Sequence, residues 1–300
     1  MMGLFSRMLI ATAALGALAC LVVDRTPRYE TAAAPAATGE DHPWFHETWS
    51  TGDKSHTEHG IRWDGVNSSP GDRDPEVTAV NPAPGRTHSL QFEFGGSPDP
   101  GDDAFSEQRF VLGNRPQELY ICWDLYVPGP GDRRKGTAAF HQRKPKGPGN
   151  NKLLRLWDDR YEKKHVGAGL SFMPKPNRPG EAQLTVEYVY LLPSGKQQNK
   201  TNFGPWTVIF HDGTKGKWNR FGFHARLASG PGATDGLIEV SMNGKTLGRY
   251  PNLDFRSHGQ QAKNYFGNGY LLGWANSGYD ATTRFWIGDV IIGPERPEGC

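Results

Sequence analysis

The stretch Ser106-Glu107-Gln108-Arg109-Phe110, followed closely by Leu119-Tyr-Ile-Cys-Trp-Asp-Leu-Tyr-Val127, decides how this chain folds. Apolar and aromatic residues alternate with polar ones in both segments, which predicts two β-strands. Because successive side chains on a strand point to opposite faces, Glu107 and Arg109 share one face, while Gln108 and Phe110 share the other. The first strand therefore predicts a polar surface on one side of a sheet.

The same alternation recurs along the chain from residue 44 to residue 296, with no helical periodicity of useful length. Asn243-Gly244 between two extended runs predicts a tight two-residue hairpin. The 38 Gly and 23 Pro residues suit many short strands joined by turns. So many strands need two sheets to bury their apolar faces. The prediction is an all-β fold, a two-sheet antiparallel β-sandwich of the jelly-roll kind, over residues 44–300.

The N-terminus predicts export. Residues 1–23 carry Arg7 and then the apolar run Met8–Val23, typical of a signal peptide, with an uncleaved membrane anchor as the alternative. Ala17-Leu-Ala-Cys20 resembles a degenerate lipoprotein box, so lipid attachment at Cys20 is a further alternative. Residues 24–43 are rich in small residues and read as a low-complexity tether. The expected location is outside the cytoplasm, secreted, periplasmic or tethered to a membrane only through the N-terminal segment.

Charge and cysteine content bear on whether the protein binds nucleic acid, a metal ion or a glycan. The net charge of +2 does not favour nucleic acid. No Cys and His residues have zinc spacing, and no cofactor is indicated. A structural calcium ion is an alternative that the sequence does not indicate. Cys122 is interpreted as a small buried residue, and a disulfide bond between Cys122 and the last residue, Cys300, is the alternative. The basic stretch 133–164 favours an acidic polysaccharide or a cell-surface glycan.

The order of motifs resembles that of concanavalin A-like jelly-roll proteins, and within them the polysaccharide lyases of the heparin, glucuronan and alginate lyase type. The resemblance covers roughly residues 44–296 and rests on these segments: Ser106-Glu-Gln-Arg109, the Leu119–Pro128 strand, Lys217-Trp-Asn-Arg-Phe-Gly-Phe-His224, Asp235-Gly236 with Asn243-Gly244, Tyr270-Leu-Leu-Gly-Trp-Ala-Asn276, and Ile287-Gly-Asp-Val-Ile291. It implies a carbohydrate-active protein that cleaves an acidic, uronate-containing polysaccharide by β-elimination.

This chemistry needs a group that neutralises the uronate carboxylate and groups that move protons. The side chains able to transfer protons are His224, Tyr270 and His141. A second set could hold the sugar through charge, hydrogen bonds or an apolar ring: Glu107, Arg109, Arg155, Trp157, Arg220, Arg226 and Asn276. The strand carrying His224, Arg220 and Arg226 is expected to share a groove with the strand carrying Glu107 and Arg109.

Two departures from the family pattern keep a second function open. The family's Gln-x-His strand has no match here, and Ala275 stands where the family has its proton-transfer Tyr. The alternative is a non-catalytic glycan-binding or surface-adhesion module of the same fold. Glu107 and Arg109 are equally interpretable as an ion pair that orders the sheet, and Trp274 as a core residue. A hydrolase is disfavoured because the jelly-roll glucanase run Glu-x-Asp-x-x-Glu is missing.

Overall fold

The computed structural model describes residues 43–68, 71–97, 99, 102–132, 151–159, 161, 164–175, 178, 180–276 and 278–300. Asp41–Cys300 forms one compact unit, and the other unit, Met1–Glu40, lies outside the described residues. The predicted signal segment and nearly all of the predicted tether therefore also lie outside them. Their boundaries stay predictions.

The described residues form sixteen β-strands in two sheets, and every strand pairing is antiparallel. Sheet A has the order β14-β13-β12-β7-β16-β5-β4, and β1 also pairs with β16. Its strands are β1 (Phe45–Glu47), β4 (Arg73–Thr78), β5 (Ser89–Phe94), β7 (Glu118–Tyr126), β12 (Trp218–Arg226), β13 (Gly236–Met242), β14 (Lys245–Leu253) and β16 (Thr283–Gly293).

Sheet B has the order β11-β10-β9-β8-β15-β6-β3-β2. Its strands are β2 (Thr57–Glu58), β3 (Ile61–Ser68), β6 (Ala104–Leu112), β8 (Asn151–Trp157), β9 (Gly167–Pro174), β10 (Ala182–Leu191), β11 (Gln197–Phe210) and β15 (Asn268–Ala275). No helix occurs in the part of the chain that the structure describes, so none there is long and apolar enough to cross a membrane. The predicted all-β, two-sheet antiparallel sandwich is confirmed.

The core lies between the two sheets, where alternate residues of each strand meet. Phe172 of sheet B contacts Phe285 of sheet A at 6.2 Å between ring centroids, and Phe210 contacts Phe221 at 6.4 Å. Burial of each such side chain stabilises the fold by about 1.5–3 kcal/mol relative to leaving it in water. Because the apolar residues face inward, the residues between them form the outer faces. The functional candidates lie on these outer faces.

The structure also shows the turn at Asn243-Gly244 and the state of Cys122 and Cys300. Asn243 and Gly244 have φ angles of 52° and 76° and join β13 to β14, which confirms the predicted hairpin. Cys122 forms a disulfide bond with Cys300, with 6.1 Å between their Cα atoms. Cys122 lies on the outer face of sheet A, so the bond anchors the C-terminal residues across that face.

Candidate functional site

Strand order brings five positions of sheet B into one row across the sheet. Tyr270 of β15 lies opposite Arg109 of β6 on one side and opposite Arg155 of β8 on the other. Arg155 in turn lies opposite Gly169 of β9, and Gly169 lies opposite Glu187 of β10. Residues directly opposite each other project to the same face, with Cβ atoms about 4.5–5.5 Å apart. We call the outer face of sheet B around this row the platform.

The charged pair of β6 lies at one end of the platform. Arg109 Nε donates a hydrogen bond of 2.5 Å to Glu107 Oε1, so the two residues form an ion pair within one strand. Glu107 is 1% exposed, and among the described residues its second oxygen has no hydrogen-bond partner. Burial raises the pKa of Glu107, while the hydrogen bond and charge of Arg109 act against this rise. The Arg109 side chain is 35% exposed and therefore accessible to a ligand.

Arg155 lies at the centre of the platform and is nearly buried. It forms an ion pair with Glu187, and its Nη2 donates a hydrogen bond of 3.3 Å to Ser171 Oγ. Its guanidinium lies directly over Gly169. A Cβ atom at Gly169 would come within 2.6 Å of both Arg155 Nη1 and the Leu154 carbonyl oxygen. The glycine therefore makes room for Arg155 to lie across the sheet.

Gly169→Ala is expected to lower the free energy of unfolding by about 1–3 kcal/mol, because the new methyl group meets backbone as well as the Arg155 side chain. The control is Gly230→Ala, since a Cβ atom there would have no neighbour within 4 Å. Urea denaturation of both variants measures the difference. Equal stability of the two variants would show that Arg155 does not depend on Gly169.

Aromatic rings cover the middle of the platform. Tyr270 is 0% exposed. Tyr161, from the segment after β8, lies 6.1 Å from Tyr270 and 5.1 Å from Trp157 between ring centroids, and the Arg109 guanidinium lies 5.9 Å from its ring. Burial raises the pKa of Tyr270 well above its ordinary value, although the charge of Arg155 opposes this.

A groove of about 250 Å³ opens beside Arg155. Its polar and aromatic lining comprises Lys152, Arg155, Trp157, Tyr161, Lys164 and Glu187. Lys152 Nζ donates a hydrogen bond of 3.1 Å to Asn276 Oδ1, which places Asn276 at the edge of the groove. Strict alternation along β8 would place Lys152 away from Arg155, but a register shift between Lys152 and Leu154 brings both into the groove. The platform therefore unites six predicted residues: Glu107, Arg109, Arg155, Trp157, Tyr270 and Asn276.

Trp274 extends the platform along β15. It is 42% exposed, so the expectation that it is a core residue is wrong. Its ring lies 5.3 Å from that of Phe105, and its Nε1 donates a hydrogen bond of 2.8 Å to Asp103. Trp274 lies opposite Phe105 in the uninterrupted pairing of β15 with β6, so it projects to the same face as Tyr270.

His224, Arg220 and Arg226 lie elsewhere, and the expectation that they share a groove with Glu107 and Arg109 is wrong. They project from β12 on the outer face of sheet A, whereas β6 belongs to sheet B. The two outer faces of a sandwich point in opposite directions. His224 stacks on Tyr120 with 3.9 Å between ring centroids.

The polar groups of this sheet A face satisfy one another. His224 Nε2 lies 2.8 Å from Glu118 Oε1, and Arg226 Nη1 lies 3.8 Å from the same oxygen. Arg220 donates two hydrogen bonds of 2.8 Å to Asp124. These contacts orient the side chains toward acidic neighbours within the protein. The outer face of sheet A therefore has fewer cationic groups free to bind an acidic glycan than the platform has.

The remaining points concern His141, the site residues that were not predicted, and metal binding. His141 lies outside the described residues. Sequence reasoning missed Tyr161, Lys152, Lys164 and Glu187 as individual site residues. The basic stretch 133–164 was the signal that could have pointed to the two lysines. Within the described ranges, no three His, Cys, Asp or Glu side chains come together in a way that could hold a metal ion.

Comparisons with known proteins bear on the fold. No protein-family model and no curated protein sequence matches the chain. The structure is similar to an endo-β-1,4-glucuronan lyase from the fungus Trichoderma reesei, with a TM-score of 0.53 and 13% identity over 85% of this chain and 96% of that one. A β-glucanase catalytic domain from Podospora anserina gives a TM-score of 0.35 and 12% identity over 75% and 81% of the two chains. The similarity to the glucuronan lyase shows that the chain has a jelly-roll sandwich fold.

Proposed function

We propose that the protein is a polysaccharide lyase that cleaves an acidic, uronate-containing polysaccharide by β-elimination on the platform. The observation that carries this proposal is the row of Arg109, Tyr270 and Arg155 on three neighbouring strands, beside a groove that is open to solvent. Two guanidinium groups flank a buried phenol in this row. Arg109 offers charge neutralisation at the exposed end of the row, and the groove beside Arg155 leaves room for a sugar residue.

The charge balance of the platform supports an anionic substrate. Two carboxylates, Glu107 and Glu187, face three cations, which are Arg109, Lys152 and Arg155. The surplus of positive charge attracts a polyanion. A neutral glucan would gain nothing from this surplus.

Elimination begins when the carboxylate of the uronate is neutralised, because this makes the proton on the adjacent carbon more acidic. Arg109 is suited to this task. Its Nε is held by Glu107, which fixes the orientation of the planar guanidinium and leaves the terminal N–H groups for a ligand. Guanidinium groups bind carboxylates in a bidentate manner. Lys152, fixed by Asn276 at the edge of the groove, supplies a second cation.

The similarity to a glucuronan lyase supports the proposal at the level of the fold only. One fold hosts many activities, so the residues of the platform must carry the functional argument.

The proposal is tested by incubating the full-length protein with glucuronan, alginate, heparin and hyaluronan, with a neutral β-glucan as control. The absorbance of the unsaturated product follows the reaction, and a glycan array measures binding in parallel. We expect product from at least one acidic polymer and none from the neutral one. Binding without product would overturn the lyase proposal in favour of a binding protein. The absence of both would overturn any role for the platform in glycan recognition.

A non-catalytic glycan-binding or surface-adhesion module is the second candidate. It is favoured by the complete burial of Tyr270, because a hydroxyl closed off from solvent does not reach a substrate without movement. Ala275 in place of the family's Tyr points the same way. The platform would then hold the glycan through its cations and aromatic rings without cleaving it.

Both candidates predict that Trp274 contributes to binding of long oligosaccharides. Trp274 lies four residues from Tyr270, or about 13 Å along the strand, and its exposed indole offers a flat apolar surface to a sugar ring. Trp274→Ala is expected to weaken hexasaccharide binding by roughly three- to tenfold and leave disaccharide binding unchanged. Trp206→Ala is the control, because Trp206 has a similar exposure of 45% but lies on β11 at the edge of sheet B. Calorimetric titration of both variants measures the difference, and equal losses would remove Trp274 from the binding surface.

We also propose that the protein is exported. Residues 1–23 support this through their signal-like pattern. The Cys122–Cys300 disulfide supports it independently, because such bonds persist mainly in oxidising compartments. Fractionation of producing cells tests it, and retention in the cytoplasm would contradict it.

A further inference from the structure

We propose that Tyr161 and Lys164, from the segment between β8 and β9, form the proton-transfer pair of the platform. This inference rests on the proposed lyase function and assigns the residues that perform it. Tyr161 and Lys164 line the same groove as Arg155. They occupy the position that a catalytic pair needs, whereas Tyr270 is fully buried below them and His224 is on the other sheet.

The two side chains are held next to each other. Lys164 Nζ lies 5.3 Å from the centroid of the Tyr161 ring and donates a hydrogen bond of 3.3 Å to the Tyr161 carbonyl oxygen. Tyr161 is in turn fixed by edge contact with Trp157 and by the Arg109 guanidinium. Tyr161 is 36% exposed, so part of it faces solvent next to the Arg109 guanidinium.

A glycine of β9 makes the position of Lys164 possible. A Cβ atom at Gly167 would lie 2.9 Å from Lys164 Cδ and 2.9 Å from the Leu156 carbonyl oxygen. The absence of a side chain lets the aliphatic part of Lys164 lie flat on the sheet. The ammonium group is thereby brought into the groove beside Arg155, and the two cations repel each other.

This environment suits Lys164 to accept a proton. Burial lowers the pKa of Lys164, and the positive charge of Arg155 lowers it further, although Asp158 acts in the opposite direction. A lowered pKa increases the fraction of neutral amine near physiological pH. Only the neutral amine is able to act as a general base.

The proposed elimination moves two protons and two electron pairs, and the electron pair of the broken carbon–oxygen bond stays on the departing oxygen. The neutral Lys164 amine takes the proton from the carbon adjacent to the uronate carboxylate, whose charge Arg109 balances. The electron pair of that C–H bond forms the new carbon–carbon double bond, and the bond from the next ring carbon to the glycosidic oxygen breaks. The departing oxygen takes the Tyr161 hydroxyl proton. Transfer of the Lys164 ammonium proton to the Tyr161 phenolate, directly or through solvent, restores both groups.

Lys164→Met tests the base, because methionine keeps the length and apolar stem of the side chain but has no amine. We expect kcat to fall at least a hundredfold, within the range typical of general base catalysis, and KM to change less than about threefold. In the wild type, kcat should rise with pH as Lys164 loses its proton, with an apparent pKa below the ordinary lysine value of about 10.4. This rise should disappear in Lys164→Met. Lys245→Met, at an exposed position of β14 in sheet A, should behave as the wild type.

Two further variants separate catalysis from structure. Tyr161→Phe keeps the ring contacts and should lower kcat by a similar factor with little change in KM. Small primary amines added to Lys164→Ala should restore part of the activity, and restoration should increase with the basicity of the amine.

Three results would count against the pair. An active wild type together with a Lys164→Met variant that keeps its activity and pH profile would overturn it. An inactive Lys164→Ala variant that amines do not rescue would do the same. A wild type that makes no unsaturated product from any acidic polymer would instead overturn the proposed function, and the pair with it.

Discussion

Replacing Arg109 with alanine is expected to weaken the binding of an acidic oligosaccharide by about ten- to a hundredfold. Hydrogen bonds to charged groups stabilise a complex by about 1.5–3 kcal/mol, and each factor of ten in affinity corresponds to about 1.4 kcal/mol. Arg109 is the most accessible guanidinium of the platform, with its Nε held by Glu107. Calorimetric titration with a uronate tetrasaccharide at low salt measures the loss.

Arg226→Ala is the matched control for Arg109→Ala. The Arg226 side chain is 40% exposed against 35% for Arg109, but it lies on β12 in sheet A. Its removal should change affinity less than about twofold. A loss of equal size in both variants would mean that binding depends on overall charge and not on the platform.

Glu107→Gln separates ligand binding from a purely structural ion pair. The amide keeps the shape of the carboxylate and removes its charge, so Arg109 should be held in place with its positive charge less compensated. Affinity for an acidic oligosaccharide should stay the same or increase, while Arg109→Ala lowers it. If both variants lose stability and neither changes affinity, the pair orders the sheet and does not contact the ligand.

Removing the Cys122–Cys300 disulfide is expected to lower the free energy of unfolding by about 2–5 kcal/mol and the melting temperature by roughly 5–15 °C. The bond links residues 178 positions apart, so it strongly restricts the unfolded chain. In the folded protein it holds Cys300 on β7, next to Gly222 and Ser241 of sheet A. Thermal denaturation of Cys122→Ala and Cys300→Ala should show losses of similar size.

A reducing agent provides the control for the disulfide. It should lower the melting temperature of the wild type to that of the variants and leave the variants unchanged. Oligosaccharide affinity should stay the same below the melting temperature, because the bond lies on the outer face opposite the platform. A wild type that is insensitive to reduction would show that the bond does not stabilise the fold.

Part of the site follows from the sequence because strand periodicity is a local property. Glu107 and Arg109 are two residues apart, so their common face is certain once β6 is a strand. The same reasoning places Arg155 and Trp157 together on β8. Alternation gives the wrong face for Lys152, because a register shift in the pairing of β8 with β9 interrupts it there. Irregularities of this kind depend on neighbouring strands, and alternation alone does not reveal them.

The sequence by itself determined the all-β class, the inward and outward residues of most strands, the Asn243-Gly244 hairpin and the charged pair of β6. Only the tertiary structure decided which strands are neighbours. It placed β15 between β6 and β8, so that Tyr270 lies between Arg109 and Arg155, and it placed β12 with His224 in the opposite sheet. The physical reason is that alternation arises within a few residues, whereas the pairing of β15 with β6 and β8 joins segments more than a hundred residues apart. Pairing depends on how the whole set of apolar faces is buried.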